Sequence, residues 1–233
     1  MNEKSLPKFA ASPDRLDRAT VEVVRVVNAI AARLGIEYFL CGATALDVML
    51  TGVFGSQPGR ATIDVDFAFT VESWDVFDQL KAALVATGEF EASEKIEQRL
   101  YSLRHDRRIV DLIPFGGVEN PKGTVSWPPN NDASLNVAGF EEALSSAVRV
   151  SLADDFSAPV ASLAGLTILK LLAWADRKNI NNKDAFDILH ILGQYAEAGN
   201  EERLYTDEAA ILELSISILS SRAPGSLEQT AAA

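Results

Sequence analysis

The stretch RATIDVDFAF (residues 60–69) decides how this chain is read. Ile63, Val65, Phe67 and Phe69 alternate with other residues, as on a buried strand over 61–69. Asp64 and Asp66 stand between them. Side chains two apart share one face of a strand, so the two carboxylates lie side by side and repel each other. Such a pair calls for a positive partner. Mg²⁺ suits it, because that ion binds through one or two carboxylates plus substrate phosphates. Arg60, Arg107 or Arg108 would serve instead if the aspartates sit at an exposed strand end.

The same anomaly returns in RRIVDLIPF (107–115), where Asp111 interrupts an apolar run. A lone aspartate in such a run is costly unless paired or bound to metal. On a strand beside 61–69 it would complete a site with Asp64 and Asp66. A metal-bound triphosphate also needs backbone N–H donors, which a strand ending in a small-residue turn before a helix supplies. Gly42-Ala43-Thr44 follows the apolar strand YFLC (38–41) and opens a helix, ATALDVMLT (43–51). Gly55-Ser56 has no buried strand before it and leaves no room for a helix before Asp64, so the first turn is chosen.

Outward from these residues, 48% hydrophobic content over 233 residues permits a substantial core. The formal net charge of −12 argues against a broad basic surface of the kind that grips long nucleic acid. The single cysteine, Cys41, rules out an intramolecular disulfide and reads as a small buried hydrophobe. The N-terminus lacks the apolar core of a secretory signal, and no run reaches the roughly 18–20 apolar residues of a membrane span. The expectation is a cytoplasmic protein with no membrane association.

Along the chain, Ser12-Pro13 predicts the start of a helix that runs to Leu34 and stops at Gly35. A helix is expected over 73–87, then strands over 98–104 and 108–115 joined by the turn His105-Asp106-Arg107. Residues 116–135 read as loop, 147–152 as strand, and 160–175, 183–197 and 207–221 as helices. The fold class is α+β: a mixed sheet flanked by helices, then an all-helical C-terminal half. The divisions are 12–157 for the α/β core and 158–222 for a helical subdomain. Residues 1–11 and 223–233 are expected as flexible tails.

Within 160–191, Lys170 stands in the apolar stretch LTILKLLAWA and needs an anion, for which a triphosphate would serve. Arg177 is seven residues on and shares its helix face. Asp184 and Asp187 share a face of the next helix, beside Lys183. They would hold Arg177 or orient an acceptor, or the group would form a solvated, salt-bridged hairpin.

Four pieces carry a resemblance: FLCGATALDVML (39–50), RATIDVDFAF (60–69), RRIVDLIPF (107–115) and PVASLAGLTILKLLAWADRKNINNKDAFDIL (159–189). Together, over about Tyr38 to Ile191, they resemble the nucleotidyltransferase superfamily of polymerase β-like minimal fold. Within it they resemble AbiEii-type nucleotidyltransferases, toxins of toxin–antitoxin and abortive-infection systems. That group carries a Gly-Gly or Gly-Ser turn, a helix, Asp-x-Asp on the next strand and a later third acid. It also carries a helical Lys, an Arg two turns on, and Lys-Asp-x-x-Asp. Here Ala43 replaces the usual second small residue, and a loop, GVFGSQPG (52–59), is inserted before the strand.

The resemblance implies transfer of a nucleoside monophosphate from an NTP to an acceptor hydroxyl, with one or two Mg²⁺ ions on Asp64, Asp66 and Asp111. Asp111 would help deprotonate the acceptor. Gly42, Ala43 and Thr44 would cradle phosphates, with Lys170, Arg177, Lys183, Asp184 and Asp187 completing the nucleotide site. It further implies a tRNA 3′ end as acceptor and a cognate antitoxin as partner. Arg99, Arg104, His105, Arg107 and Arg108 either guide that RNA or form an ordinary charged hairpin. The alternatives are a small-molecule nucleotidyltransferase acting on an aminoglycoside-like acceptor, and a catalytically silent nucleotide-binding member.

Overall fold

A computed structural model describes residues 8–59, 62–104, 106–129, 131 and 133–208. Its strands in chain order are β1 (Lys8–Ala10), β2 (Tyr38–Cys41), β3 (Val65–Val71), β4 (Phe90–Ala92), β5 (Arg99–Ser102), β6 (Ile109–Gly116), β7 (Thr124–Ser126), β8 (Ser134–Asn136), β9 (Val148–Ala153) and β10 (Phe156–Val160). Eight of them form one mixed sheet in the order β1-β9-β10-β2-β3-β6-β5-β4, and β7 and β8 make a separate ribbon. The helices are α1 (Arg18–Leu34), α2 (Gly42–Asp47), α3 (Trp74–Val85), α4 (Phe140–Ser145), α5 (Leu163–Arg177), α6 (Lys183–Gly193) and α7 (Glu201–Tyr205). A π-helical turn, Val48–Val53, continues α2. This is the α+β arrangement expected, a mixed sheet flanked by helices.

The alternating residues of the opening stretch build the centre. Tyr38 on β2 meets Phe67 and Phe69 on β3, with ring centroids 5.9 and 5.6 Å apart. On the opposite face Phe39 and Phe115 pack with Phe140 of α4. That second face also carries Asp66 and Asp111, because residues two apart along a strand point the same way. α5 packs on α2, α4 and α6. Ile63 departs from the expected alternation: β3 starts at Val65, and Ile63 is exposed.

Other boundaries moved for local reasons. Ser12 precedes only a 3-10 turn, Pro13–Arg15, and α1 starts at Arg18. Its cap is Asp17, whose carboxylate accepts the Thr20 N–H at 2.9 Å. Lys8–Ala10, expected in a loose arm, pair in parallel with β9. Residues 116–135 contain β7 and the start of β8, three-residue strands too short to show a period. β10 lies where Ala158-Pro159 read as a break, and Ser162 Oγ then accepts the Gly165 N–H to cap α5.

The chain divides into two compact units between Gln194 and Tyr195. α5 and α6 therefore belong to the same unit as the sheet, because α5 lies against α2 and α4. In the second unit Tyr195 Oη donates to the Glu208 carboxylate at 2.7 Å. The helix expected over 183–197 ends at Gly193. The helix expected over 207–221 lies outside the described residues from 209 on, as does the tail 223–233. Among the described residues no helix is long and apolar enough to cross a membrane.

Candidate active site

Strand register brings the acidic residues together. Cys41 stands opposite Asp66, Asp66 opposite Asp111, and Asp111 opposite Arg99. Four neighbouring strands, β2, β3, β6 and β5, thus place these residues abreast. Asp64 lies just before β3, and its carbonyl accepts the Thr44 hydroxyl at 2.6 Å. All three aspartates line one cavity of about 530 Å³, within the range of roughly 300–1,000 Å³ typical of small-molecule sites.

Gly42 lets the backbone reach this row. Its φ is +69°, and a Cβ there would run into the Asp66 carboxylate. Asp66 opens onto the cavity but is otherwise hemmed in. Burial, then the neighbouring Asp111, push its pKa up to about 7; Lys170 opposes this and Asp64 adds to it. A cation in the cavity would offset the charge of Asp66. Among the described residues, no three His, Cys, Asp or Glu side chains are arranged to hold a metal ion by themselves. Mg²⁺ needs no such cage, since phosphates and waters complete its shell, and the donor set fits that ion in the company of a nucleotide. Burial and Asp66 also push the Cys41 thiol well up, so it stays a protonated, inert thiol.

Across the cavity lies the helical quartet. Lys170 Nζ sits 2.6 Å from Asp187 and 3.4 Å from Asp184. Arg177 Nη2 donates to Asp184 at 2.8 Å. Lys170, Asp184 and Asp187 are buried. The anions that Lys170 needs therefore come from α6, where a triphosphate had been expected, and the quartet is no solvated hairpin. Lys183, exposed at the start of α6, also lines the cavity. Asn136 of β8 donates to Asp176 of α5 at 2.7 Å, so the ribbon β7–β8 forms a further wall, with Leu135, Phe140 and Leu169 as its apolar lining.

One expectation is corrected, and one open alternative is narrowed toward the charged hairpin. Thr44 is buried with its hydroxyl on the Asp64 carbonyl, and it lines a different cavity, so Gly42 and Ala43 alone face the site from that turn. The arginine cluster is no open basic patch. Arg99 holds Asp111, Arg104 lies 3.8 Å from Glu89, Arg107 3.0 Å from Glu91, and Arg108 2.8 Å from Asp17. His105 lies outside the described residues. The sequence reading missed the Arg99–Asp111 pair. A hairpin centred on residue 105, rather than 106, would have revealed it.

A family model described as "Nucleotidyl transferase AbiEii toxin, Type IV TA system" matches residues 25–217. The chain belongs to the AbiEii family. It is accordingly a nucleotidyltransferase, as its cavity of paired carboxylates suits. No curated protein matches this AbiEii chain at a significant level. A nucleotidyltransferase-like antigenic protein from Paracoccidioides brasiliensis shares the fold, with 17% identity over 90% of this chain and 94% of its own, at a TM-score of 0.52. The antibiotic-resistance factor ANT(2'')-Ia is 13% identical over 87% and 99%, at 0.47. The lincosamide adenylyltransferase LnuA is 15% identical over 75% and 95%, at 0.42.

Gly42→Ala tests the contact between turn and carboxylate. A left-handed backbone at a residue with a Cβ costs roughly 1–2 kcal/mol, and the methyl must also displace Asp66. The expected result is a loss of about 2 kcal/mol in urea unfolding and at least a hundredfold loss of transfer, about 2.7 kcal/mol of barrier. Unchanged activity would show that Asp66 need not hold its place.

Proposed function

We propose that this AbiEii chain transfers a nucleoside monophosphate from an NTP to the 3′ end of tRNA in the cytoplasm, with Mg²⁺ bound at the aspartates. The observation that supports it is the abreast placement of Asp66 and Asp111, with Asp64 beside them, on a cavity that Lys170, Arg177 and Lys183 also line. Bound Mg²⁺ would supply charge stabilisation at the reacting phosphate. Gly42 and Ala43 bring backbone close to the phosphates, while Arg177 and Lys183 offset their charge. Asp184 and Asp187 keep Lys170 fixed as a steady positive source behind Asp66. The acceptor hydroxyl forms the new bond to the α-phosphorus, the bond to the β-phosphate oxygen breaks, and pyrophosphate leaves. The hydroxyl proton passes to Asp111, whose oxygens each keep a lone pair beyond the bond from Arg99. A cognate antitoxin is the proposed protein partner.

The acceptor is tested by incubating the protein with each α-labelled NTP, Mg²⁺ and total tRNA. Label should appear on tRNA and vanish with Asp64→Ala or Asp66→Ala. The paired state of the hairpin arginines and the acidic chain favour a small acceptor as the second reading. Unlabelled tRNA, with pyrophosphate released when polyhydroxylated amines are supplied, would establish that reading instead. Silence in both, with nucleotide still raising the Tm, would identify a binding protein without the chemistry.

A further inference from the structure

The outermost carboxylate of the row is already held. Arg99 Nε donates to Asp111 Oδ1 and Arg99 Nη2 to Asp111 Oδ2, each at 2.8 Å. This two-pronged geometry is the strongest that a carboxylate makes with a side chain. The two residues face each other across β5 and β6, so the backbone sets the pair and no long reach is involved. Their side chains are 22% and 14% exposed, which leaves little water to compete. Asp64 and Asp66 differ: among the described residues neither is in an ion pair. Among the described residues the three carboxylates therefore fall into two classes, two outside any ion pair and one with a cation built in.

We propose that Arg99 keeps Asp111 out of the metal's ligand shell, so that Asp64 and Asp66 alone supply the protein ligands and the guanidinium serves as the site's fixed second positive charge. The inference rests on the metal-dependent reading above. A metal that took Asp111 would share its oxygens with a recessed guanidinium and so stand beside it, two like charges in one small space. A single divalent ion on Asp64 and Asp66, plus Arg99 on Asp111, neutralises three carboxylates without that repulsion. Arg99 also lines the cavity. Its grip on Asp111 uses Nε and one Nη2 hydrogen. Arg99 thereby acts as a positioning residue, holding Asp111 for the acceptor rather than for the metal.

The test is Mn²⁺ uptake by the full chain without nucleotide, read from the EPR signal of free Mn²⁺. One ion should bind per chain. Asp66→Asn should weaken it more than about tenfold, while Asp111→Asn should leave it within about threefold, since affinity follows the count of ligating charges. Arg99→Gln should tighten uptake about tenfold by releasing Asp111, and Arg99→Gln with Asp111→Asn should return to the wild-type value. Arg99→Lys, which keeps the charge but not the fork, should fall between. Circular dichroism confirms folding of each variant. Asp111→Asn losing Mn²⁺ as Asp66→Asn does, or Arg99→Gln leaving uptake unchanged, would overturn this inference and leave the metal-dependent reading standing. A wild-type chain that takes up no Mn²⁺ alone would overturn this inference, and one that takes up none beyond what a non-hydrolysable NTP analogue itself binds would overturn the metal-dependent reading as well.

Discussion

Asp66→Asn should lower nucleotide transfer at least a thousandfold, about 4 kcal/mol of barrier, while making the metal-free protein more stable at neutral pH. Both effects have one origin. Asp66 is held among carboxylates where only a cation justifies its charge. Its carboxyl has a pKa near 3.8 in the unfolded chain and about 7 in the folded one. Between these values the folded chain keeps a proton that the unfolded chain releases. Stability is therefore full below about pH 4 and falls as pH rises through 7. The loss amounts to about 4 kcal/mol if nothing relaxes. Asparagine, which does not titrate, removes that dependence. Urea unfolding in EDTA at pH 5 and pH 8 checks it: the wild type should lose stability across this interval and the variant should not. Mg²⁺ with nucleotide should restore the wild type at pH 8. Parallel pH profiles for the two proteins would show that Asp66 is not under this strain.

Lys170→Ala should cost about 3–5 kcal/mol of folding stability, the usual consequence of breaking a buried ion pair. The ammonium lies between Asp184 and Asp187, both buried on α6, and Arg177 pairs with Asp184. Removing it takes from two buried carboxylates, one turn apart on α6, the ammonium of α5 that stands between them. Lys170→Met combined with Asp184→Asn and Asp187→Asn should recover most of the loss, because a neutral set of similar volume has no charge to desolvate. The urea midpoints of the single and triple variants measure this. A loss under 1 kcal/mol for Lys170→Ala would mean that water already reaches the pair. The same network explains why Lys170 is a poor mobile phosphate ligand: leaving Asp187 to follow a substrate would strip the same two carboxylates of that ammonium.

The parts of the site that were legible in the sequence are those set by spacing along one element. Asp64 and Asp66 share a strand face, Lys170 and Arg177 share a helix, and Asp184 and Asp187 share the next one. Asp111 announced itself by interrupting an apolar run. Partner choice was not legible in the same way. A lysine among leucines declares that it needs an anion, and the crossing of α5 with α6 decided that the anion is Asp187 rather than phosphate. Thr44 had the right position for a phosphate, but the turn rotates its hydroxyl onto the Asp64 carbonyl. β1, β4, β7 and β8 have three residues each, less than one full alternation on either face.

By itself, then, the sequence determined the central strands, the glycine turn, the acidic residues and the family to which they belong, because each is written in the period of a single element or in a local motif. Only the tertiary structure decided which charge holds which. Strand register set Asp111 on Arg99 and beside Asp66, and helix packing set Lys170 between two aspartates. Ion pairs form over a few ångströms, and no spacing along one strand or helix specifies which residue of a neighbouring element will arrive there.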